Sequence, residues 1–162
     1  MYDGDNIALE YDGSNTLIAA YVSAIGEDSQ MEMVRGGQTY YYQRDGQNSV
    51  VAVTDSSGVV VQAYRYDAFG LQSAAGSITN PFTYTGREYD PKSGLYFLRA
   101  RYYDPRAGRF ISEDPVGVPN RYPYADNDPS TGSIRLDSKP SSSASRWKRG
   151  RPSARTSALS PP

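Results

Sequence analysis

Cysteine and histidine are both missing from the 162 residues of this chain. The lack of cysteine excludes disulfide bonds, thiolate metal sites and thiol catalysis. The lack of histidine removes the usual general base, the Ser-His-Asp triad and most zinc sites. Carboxylates, hydroxyls, lysine and arginine are left for any chemistry, so an enzyme of this sequence would have to use carboxylates. We expect no metal and no cofactor.

Long apolar runs are missing as well. No stretch approaches the roughly 18 residues that a helix needs to cross a bilayer, which predicts that there is no transmembrane segment. The first residues contain neither the basic region nor the apolar region of a secretion signal. We therefore expect no signal peptide in this chain, and a cytoplasmic location if the chain is expressed alone.

The net charge of −1 conceals an uneven distribution of charge. Residues 1–130 carry 10 basic and 17 acidic side chains, whereas residues 131–162 carry 7 and 1. The second segment also holds nine serines and four prolines, and Trp147 is its only aromatic residue. Such a composition cannot bury enough apolar surface to offset the entropy lost on ordering. We predict a folded part, residues 1–129, and a disordered Ser/Pro/Arg-rich tail, residues 130–162, whose dilute charge favours no specific nucleic acid.

Tyrosine and glycine are abundant, with 15 residues each. The alternating or apolar segments are short and are bounded by turn residues, and helical periodicity is nearly absent. The predicted strands are Ile7–Asp12, Thr16–Val22, Met31–Arg35, Thr39–Arg44, Ser49–Thr54, Val59–Tyr66, Phe82–Glu88, Leu95–Tyr103 and Arg109–Ser112. This pattern predicts an all-β fold of sequential antiparallel hairpins.

A tyrosine followed by aspartate and then by a turn recurs along the chain. The instances begin at Tyr2, Tyr11, Tyr66, Tyr89 and Tyr103. We expect each tyrosine to end a strand with its ring packed and its hydroxyl in water, and each aspartate to bind backbone amides of the turn. The irregular spacing argues against a closed propeller and favours a stacked or spiralling sheet.

The block from Asn80 to Pro115 contains three specific motifs: Asn-Pro-Phe-Thr-Tyr-Thr-Gly-Arg at 80–87, Leu-Arg-Ala-Arg-Tyr-Tyr-Asp-Pro at 98–105 and Gly-Arg-Phe-Ile-Ser-Glu-Asp-Pro at 108–115. With these motifs, residues 2–129 resemble the core domain of RHS (rearrangement hotspot) or YD-repeat proteins. The resemblance implies a hollow β cocoon built from YD hairpins. Because a closed cocoon needs many more repeats than this chain holds, we expect a fragment of one, a curved and partly open sheet.

The resemblance also implies a candidate site. In the family, one Arg and two Asp residues of the core carry out an aspartyl autoproteolysis, in which two nearby carboxylates share the acid and base roles. Arg101 and Asp114 match the Arg and the first Asp by motif, and the hairpin over Asp104–Gly108 is expected to bring them together. The position of the second Asp holds Ile134, the nearest substitute is Asp137, and the family's cut-site motif is missing.

Two main interpretations remain open, beside a weaker third, a small carbohydrate-contacting adhesion module, which rests only on fold analogy and aromatic content. The first is a non-catalytic structural core of an RHS-type polymorphic toxin or cell-surface delivery shell, present as a truncated or orphan fragment. In that case Arg101 pairs with a hairpin aspartate and Asp114 is a turn residue. The second is an autoproteolytic module that releases a C-terminal toxin segment. The missing cut site favours the first, which is not an enzyme.

The resemblance further implies where the parent protein acts and what it contacts. Parent proteins of this family are secreted or lie at the cell surface, and the implied partners are other YD-repeat or toxin-complex segments. An open sheet also has exposed edges, and these edges predict self-association of the chain.

Overall fold

The computed structural model describes residues 1–3, 6–24, 29–114 and 122–129. In this part of the chain the regular structure is almost entirely antiparallel β, with strands joined in sequential hairpins and sheets that stay open. This confirms the predicted all-β fold. The predicted tail, together with Ile134 and Asp137, lies outside the described residues.

The largest sheet is a seven-stranded meander in which each strand pairs with the next one in the sequence. Its strands are β3 Leu9–Tyr11, β4 Leu17–Ser23, β5 Gln30–Arg35, β6 Gln38–Arg44, β7 Val50–Asp55, β8 Val60–Tyr66 and β9 Gln72–Gly76. Bulges displace the register in four of the six pairings. Such bulges increase the local twist of a sheet.

A second sheet of four strands follows the first and has the same sequential order. Its strands are β10 Glu88–Asp90, β11 Leu95–Leu98, β12 Arg101–Asp104 and β13 Arg109–Phe110. A small pair, β1 Tyr2–Asp3 and β2 Asn6–Ile7, precedes the first sheet. The remaining regular elements of the described residues are two 3₁₀ turns, Tyr84–Gly86 and Ala125–Asn127. None of these helical segments has the length and apolarity needed to span a membrane.

Four hairpin turns of the large sheet share one geometry, set by an aspartate at the first position. In each turn the Oδ1 of the aspartate accepts hydrogen bonds of 2.8–3.0 Å from the amides two and four residues later; the aspartates are Asp12, Asp45, Asp55 and Asp67. The fourth residue of each turn is left-handed: Asn15 (φ 62°), Asn48 (φ 68°), Gly58 (φ 81°) and Gly70 (φ 84°). Asparagine and glycine tolerate this conformation best. The predicted role is therefore confirmed for Asp12 and Asp67, and the Oδ1 atoms of Asp90 and Asp104 likewise accept hydrogen bonds from backbone amides of their own turns.

Two predicted strands are wrong. The segment Phe82–Glu88 is not one strand, because Thr85 (φ 50°) and Gly86 (φ 72°) are left-handed and fold the chain into a 3₁₀ turn. The segment Leu95–Tyr103 is two strands, because Arg99 (φ 60°) reverses the chain after Leu98. Arginine rarely adopts this conformation, so the local sequence gives no turn signal there.

Four strands were missed wholly or in part. Strands β1 and β9 lie outside the predicted set, whereas β2 overlaps it only at Ile7 and β10 only at Glu88. Strand β9 is composed of Gln, Ser, Ala, Ala and Gly, which have low strand propensity, and it forms because β8 offers its free edge.

The core of the large sheet is built around Phe82, which lies in the segment that connects β9 to β10. Phe82 is buried and meets Tyr21 edge-on, with ring centroids 5.1 Å apart, and Tyr42 at 6.5 Å. Met33 and Val53 complete the centre of this cluster and have no exposed surface. Edge-to-face aromatic pairs add roughly 0.5–1.5 kcal/mol beyond the area they bury.

Three tyrosines fasten the second sheet to the turn between β8 and β9. The hydroxyls of Tyr84, Tyr103 and Tyr96 donate to three successive carbonyl oxygens, those of residues 68, 69 and 70, at 3.2, 2.7 and 2.8 Å. We call Tyr84, Tyr96 and Tyr103 the tyrosine clamp. All three residues are buried. The hydroxyl of Tyr66 is also bonded to backbone, since it donates to the carbonyl of Val50 at 2.6 Å.

The expected solvent exposure of the tyrosine hydroxyls is therefore wrong for Tyr66 and Tyr103. Tyr66 does end its strand just before an aspartate, as the sequence indicated, whereas Tyr103 is the second-last residue of β12, which ends at Asp104. Both hydroxyls nevertheless donate to backbone carbonyls in partly buried positions, because a carbonyl removed from water needs a donor.

A substitution of Gly70 can test how closely the Tyr84 ring packs on the turn between β8 and β9. A Cβ on Gly70 would lie 2.4 Å from the ring of Tyr84, whereas a Cβ on Gly58, at the same turn position, would meet nothing within 4 Å. Gly58→Ala should cost about 1–2 kcal/mol for its left-handed backbone. Gly70→Ala should lose roughly 1–3 kcal/mol more through overpacking. Urea unfolding measures both, and equal losses in the two variants would contradict the close packing of Tyr84 on this turn.

Alkaline pH should destabilise the protein. Burial raises the pKa values of Tyr66, Tyr96, Tyr103 and Tyr124. Folded pKa values above the unfolded value of about 10 mean that their stabilising effect is complete below that pH and is lost as the pH rises beyond it. The free energy of unfolding should therefore decline above about pH 10, and phenolate absorbance should rise together with the loss of near-ultraviolet circular dichroism. A buried phenolate signal that grows while the fold persists would contradict this.

Candidate functional site

The Arg101 side chain lies at the start of β12, directly across the hairpin from Leu98. The left-handed Arg99 reverses the chain so that Arg101 enters the interior, where 5% of its side chain is exposed. This placement differs from the predicted long strand, which put Arg99 and Arg101 on the same strand and face. A turn that the local sequence does not signal therefore positions the candidate residue.

The structure brings Arg101 and Asp114 together. The Nη2 of Arg101 lies 3.0 Å from the Oδ2 of Asp114, whose side chain is 13% exposed. The hairpin of β12 and β13, with Tyr103 paired to Phe110, returns the chain toward Arg101 and allows this contact. A guanidinium and a carboxylate at this distance form a charge-assisted hydrogen bond, which is stronger than a bond between neutral groups.

An aromatic ring also contacts the Arg101 guanidinium. Its Cζ lies 3.6 Å from the centroid of the Phe110 ring, within the range of a cation–π interaction. Phe110 in turn packs edge-on against Tyr103 at 5.9 Å and Tyr124 at 6.0 Å. The ion pair is thus anchored to the aromatic cluster of the second sheet. This role of Phe110 was not predicted, although its position directly after Arg109 in the Gly-Arg-Phe motif marks the strand that pairs with β12.

Two further arginines of the described residues are buried. Arg87 and Arg99 are 5% and 8% exposed; Arg87 follows the left-handed Gly86, and Arg99 is itself left-handed. Buried arginines are uncommon unless their charge is compensated. Neither residue was predicted to be buried, because arginine is usually found at the protein surface.

The geometry permits part of the chemistry that the resemblance implies. One carboxylate and one guanidinium are in place, but sharing of acid and base roles needs a second carboxylate close to the first. The position that the resemblance assigns to it holds Ile134, and Ile134 and Asp137 both lie outside the described residues. Within the described part of the chain, no group of three or more acidic side chains is arranged to hold a metal ion.

Two surface grooves lie near this part of the molecule, and the second is lined by Phe110, whose ring contacts Arg101. The first, about 460 Å³, runs between the turns that begin at Asp45 and Asp67 and is lined by Arg65, Tyr66 and their neighbours. The second, about 400 Å³, lies beside β13 and is lined by Asp104, Arg109 and neighbouring residues. Neither groove is lined by Arg101 or Asp114. The Oδ1 atoms of Asp45 and Asp67 are already bonded to amides of their own turns.

Comparison with known proteins gives a family match and two kinds of relatives. A family model described as Teneurin YD-shell matches residues 1–129. The tRNA3(Ser)-specific nuclease WapA of Bacillus spizizenii is 35% identical over 143 residues, which cover 80% of this chain and 6% of the relative. The double-stranded DNA deaminase toxin A of Burkholderia cenocepacia is 32% identical over 123 residues, which cover 70% of this chain and 8% of the relative.

A solved structure has the same fold. The crystal structure of TcdB2-TccC3 superposes with a TM-score of 0.64 at 23% identity, over 78% of this chain and 7% of that chain. The chain thus spans less than a tenth of the length of each of these proteins.

The burial of the ion pair can be tested with two arginines whose carboxylate contacts have the same length. Arg106 lies 3.0 Å from Asp104, but 58% of its side chain is exposed. Arg101→Gln should destabilise the protein by about 3 kcal/mol, since it leaves Asp114 without this partner in a mostly buried position. Arg106→Gln should leave stability almost unchanged, because exposed pairs contribute little. Thermal unfolding of both variants provides the measurement, and similar losses would show that the Arg101 pair is not a buried one.

Proposed function

The chain belongs to the Teneurin YD-shell family, and we propose that it is a non-catalytic structural segment of a toxin-related shell. Its task is to form and stiffen a wall of hairpins. Its partners are other YD-repeat or toxin-complex segments, and the parent protein is secreted or exposed at a cell surface.

The proposal rests on one observation: the polar side chains of the tyrosines and aspartates are hydrogen-bonded to the protein backbone. Hydroxyls of the tyrosine clamp bind the carbonyls of residues 68, 69 and 70, and turn aspartates bind backbone amides. Side chains bound to backbone in this way stabilise the fold and are not free to move protons to and from a substrate. We therefore infer a structural role for the tyrosines and aspartates that are bound to backbone in this way.

The activities in the names of the relatives do not transfer readily to this segment. The nuclease and the deaminase toxin share only 6% and 8% of their length with this chain. Zinc-dependent deamination of bases uses histidine and cysteine ligands, and this chain has neither. We propose that the shared segment contributes the shell, and that nuclease or deaminase chemistry belongs to other parts of those proteins.

A second function, autoproteolytic processing, is favoured by one observation. Arg101 and Asp114, the two residues that the resemblance assigns to that reaction, lie 3.0 Å apart in a mostly buried position. The same contact also fits a structural role, because it fastens the segment after β13 to the interior. The replacement of the second Asp by Ile134 supports the structural role.

Incubation of the purified chain separates the two functions. The structural proposal predicts that the mass stays at 17.8 kDa during long incubation at neutral pH, as followed by mass spectrometry. A time-dependent cut between residues 130 and 140 that Asp114→Asn abolishes would establish autoproteolysis instead. Asp104→Asn is the matched control, since Asp104 also contacts an arginine at 3.0 Å but in an exposed pair.

A further inference from the structure

The two larger sheets have four outer edges, formed by β3, β9, β10 and β13. The first strand of each sheet, β3 or β10, is covered by the chain segment that precedes it. On β3, the Leu9 N–H donates to the Met1 carbonyl at 3.2 Å, and the Met1 ammonium group donates to the Leu9 carbonyl at 2.8 Å. On β10, the Tyr89 N–H donates to the Pro81 carbonyl at 2.7 Å. These contacts satisfy outward-facing groups that would otherwise be open for strand pairing.

The third edge is covered in the same way, whereas the fourth is open. On β13, the Phe110 N–H donates to the Tyr122 carbonyl at 2.9 Å. On β9, among the described residues, no backbone hydrogen bond reaches residues 72–76 except those from β8. Within the part of the chain that the structure describes, β9 is thus the uncovered edge of the large sheet.

Strand β9 also lacks the features that usually prevent an edge strand from pairing with another chain. Its five residues include no proline and no charge, and its pairing with β8 has no bulge. The side chains of Ser73, Ala74 and Ala75 are small and exposed. A second strand can therefore approach this edge closely without having to displace a long side chain.

We propose that β9 pairs with β9 of a second copy of this chain, in antiparallel orientation, so that the two large sheets become one continuous sheet. Pairing centred on Ala74 places Ser73 opposite Ala75 of the other copy and Gln72 opposite Gly76. No charged residue lies in this register. This inference rests on the geometry of the edge and not on the role of the chain in a shell.

The charge distribution permits two copies to meet along this edge. The nearest charged residue on the neighbouring strand is Arg65, which pairs with Ser73. In the dimer the two Arg65 side chains are separated by three strand spacings, about 14 Å, which exceeds the Debye length of about 8 Å at physiological salt. Repulsion between them is therefore largely screened.

The expected association is weak and reversible. A pair of five-residue strands buries much less surface than a stable interface of standard size. The hydrogen bonds of the new pairing supply the attraction, and the small side chains add little apolar contact. The dimer should consequently form only at high protein concentration and dissociate on dilution.

Sedimentation velocity from low-micromolar to high-micromolar concentration tests the proposal. The average mass should rise from the 17.8 kDa monomer toward that of a dimer. Hydrogen exchange at the β9 amides should slow as the concentration increases. In the double variant Ser73→Lys with Ala75→Lys, each lysine of one copy faces a lysine of the other copy, so that like charges meet at two positions. This should weaken association by roughly tenfold.

The matched control adds the same charge elsewhere. Gln38→Lys with Ser56→Lys alters two exposed positions away from β9 and changes the net charge equally. The control should associate like the unmodified chain. The proposal is overturned if the unmodified chain stays monomeric at all concentrations, if both double variants associate equally, or if concentration-dependent protection appears elsewhere and not at β9. Circular dichroism of each variant verifies the β fold.

Discussion

Three hydroxyl groups on three successive carbonyls hold the two larger sheets together. Tyr84, Tyr103 and Tyr96 come from a 3₁₀ turn and from two strands of the second sheet, and they meet the turn between β8 and β9. Of the three residues that carry these carbonyls, Phe69 is half-buried and Gly70 is buried, and carbonyls at such positions are costly to leave without donors. The clamp supplies those donors, and its rings provide the apolar contact that excludes water. The position of the second sheet follows from this arrangement.

The placement of Arg101 depends on the same cluster. The second sheet carries Tyr103 and Phe110 against Tyr124, and the guanidinium of Arg101 lies over the Phe110 ring. The contact with Asp114 then closes the segment after β13 over this cluster. A charge at this depth is tolerated because it has both a carboxylate and an aromatic face beside it. A residue pair that resembles catalytic machinery thus also has a structural explanation in its surroundings.

The outer edges of the two sheets differ in whether a neighbouring segment covers them. Short flanking segments cover β3, β10 and β13, and among the described residues this leaves β9 as the uncovered edge of the large sheet. Each aspartate turn satisfies amides of its own hairpin, whereas the carbonyls of the turn between β8 and β9 are bonded by the tyrosine clamp of the second sheet.

The sequence by itself determined the hairpins, their aspartate turns and the family, because these depend on contacts within a few residues. Asp67 and Gly70, for example, specify one turn whatever surrounds it. Only the tertiary structure decided the reversal at Arg99, the 3₁₀ turn at Tyr84–Gly86, the pairing of β9 and the buried bonds of the tyrosine hydroxyls. Each of these depends on a partner distant in the sequence. The free energy of packing and of satisfying buried carbonyls there exceeds the local preference of the residues concerned.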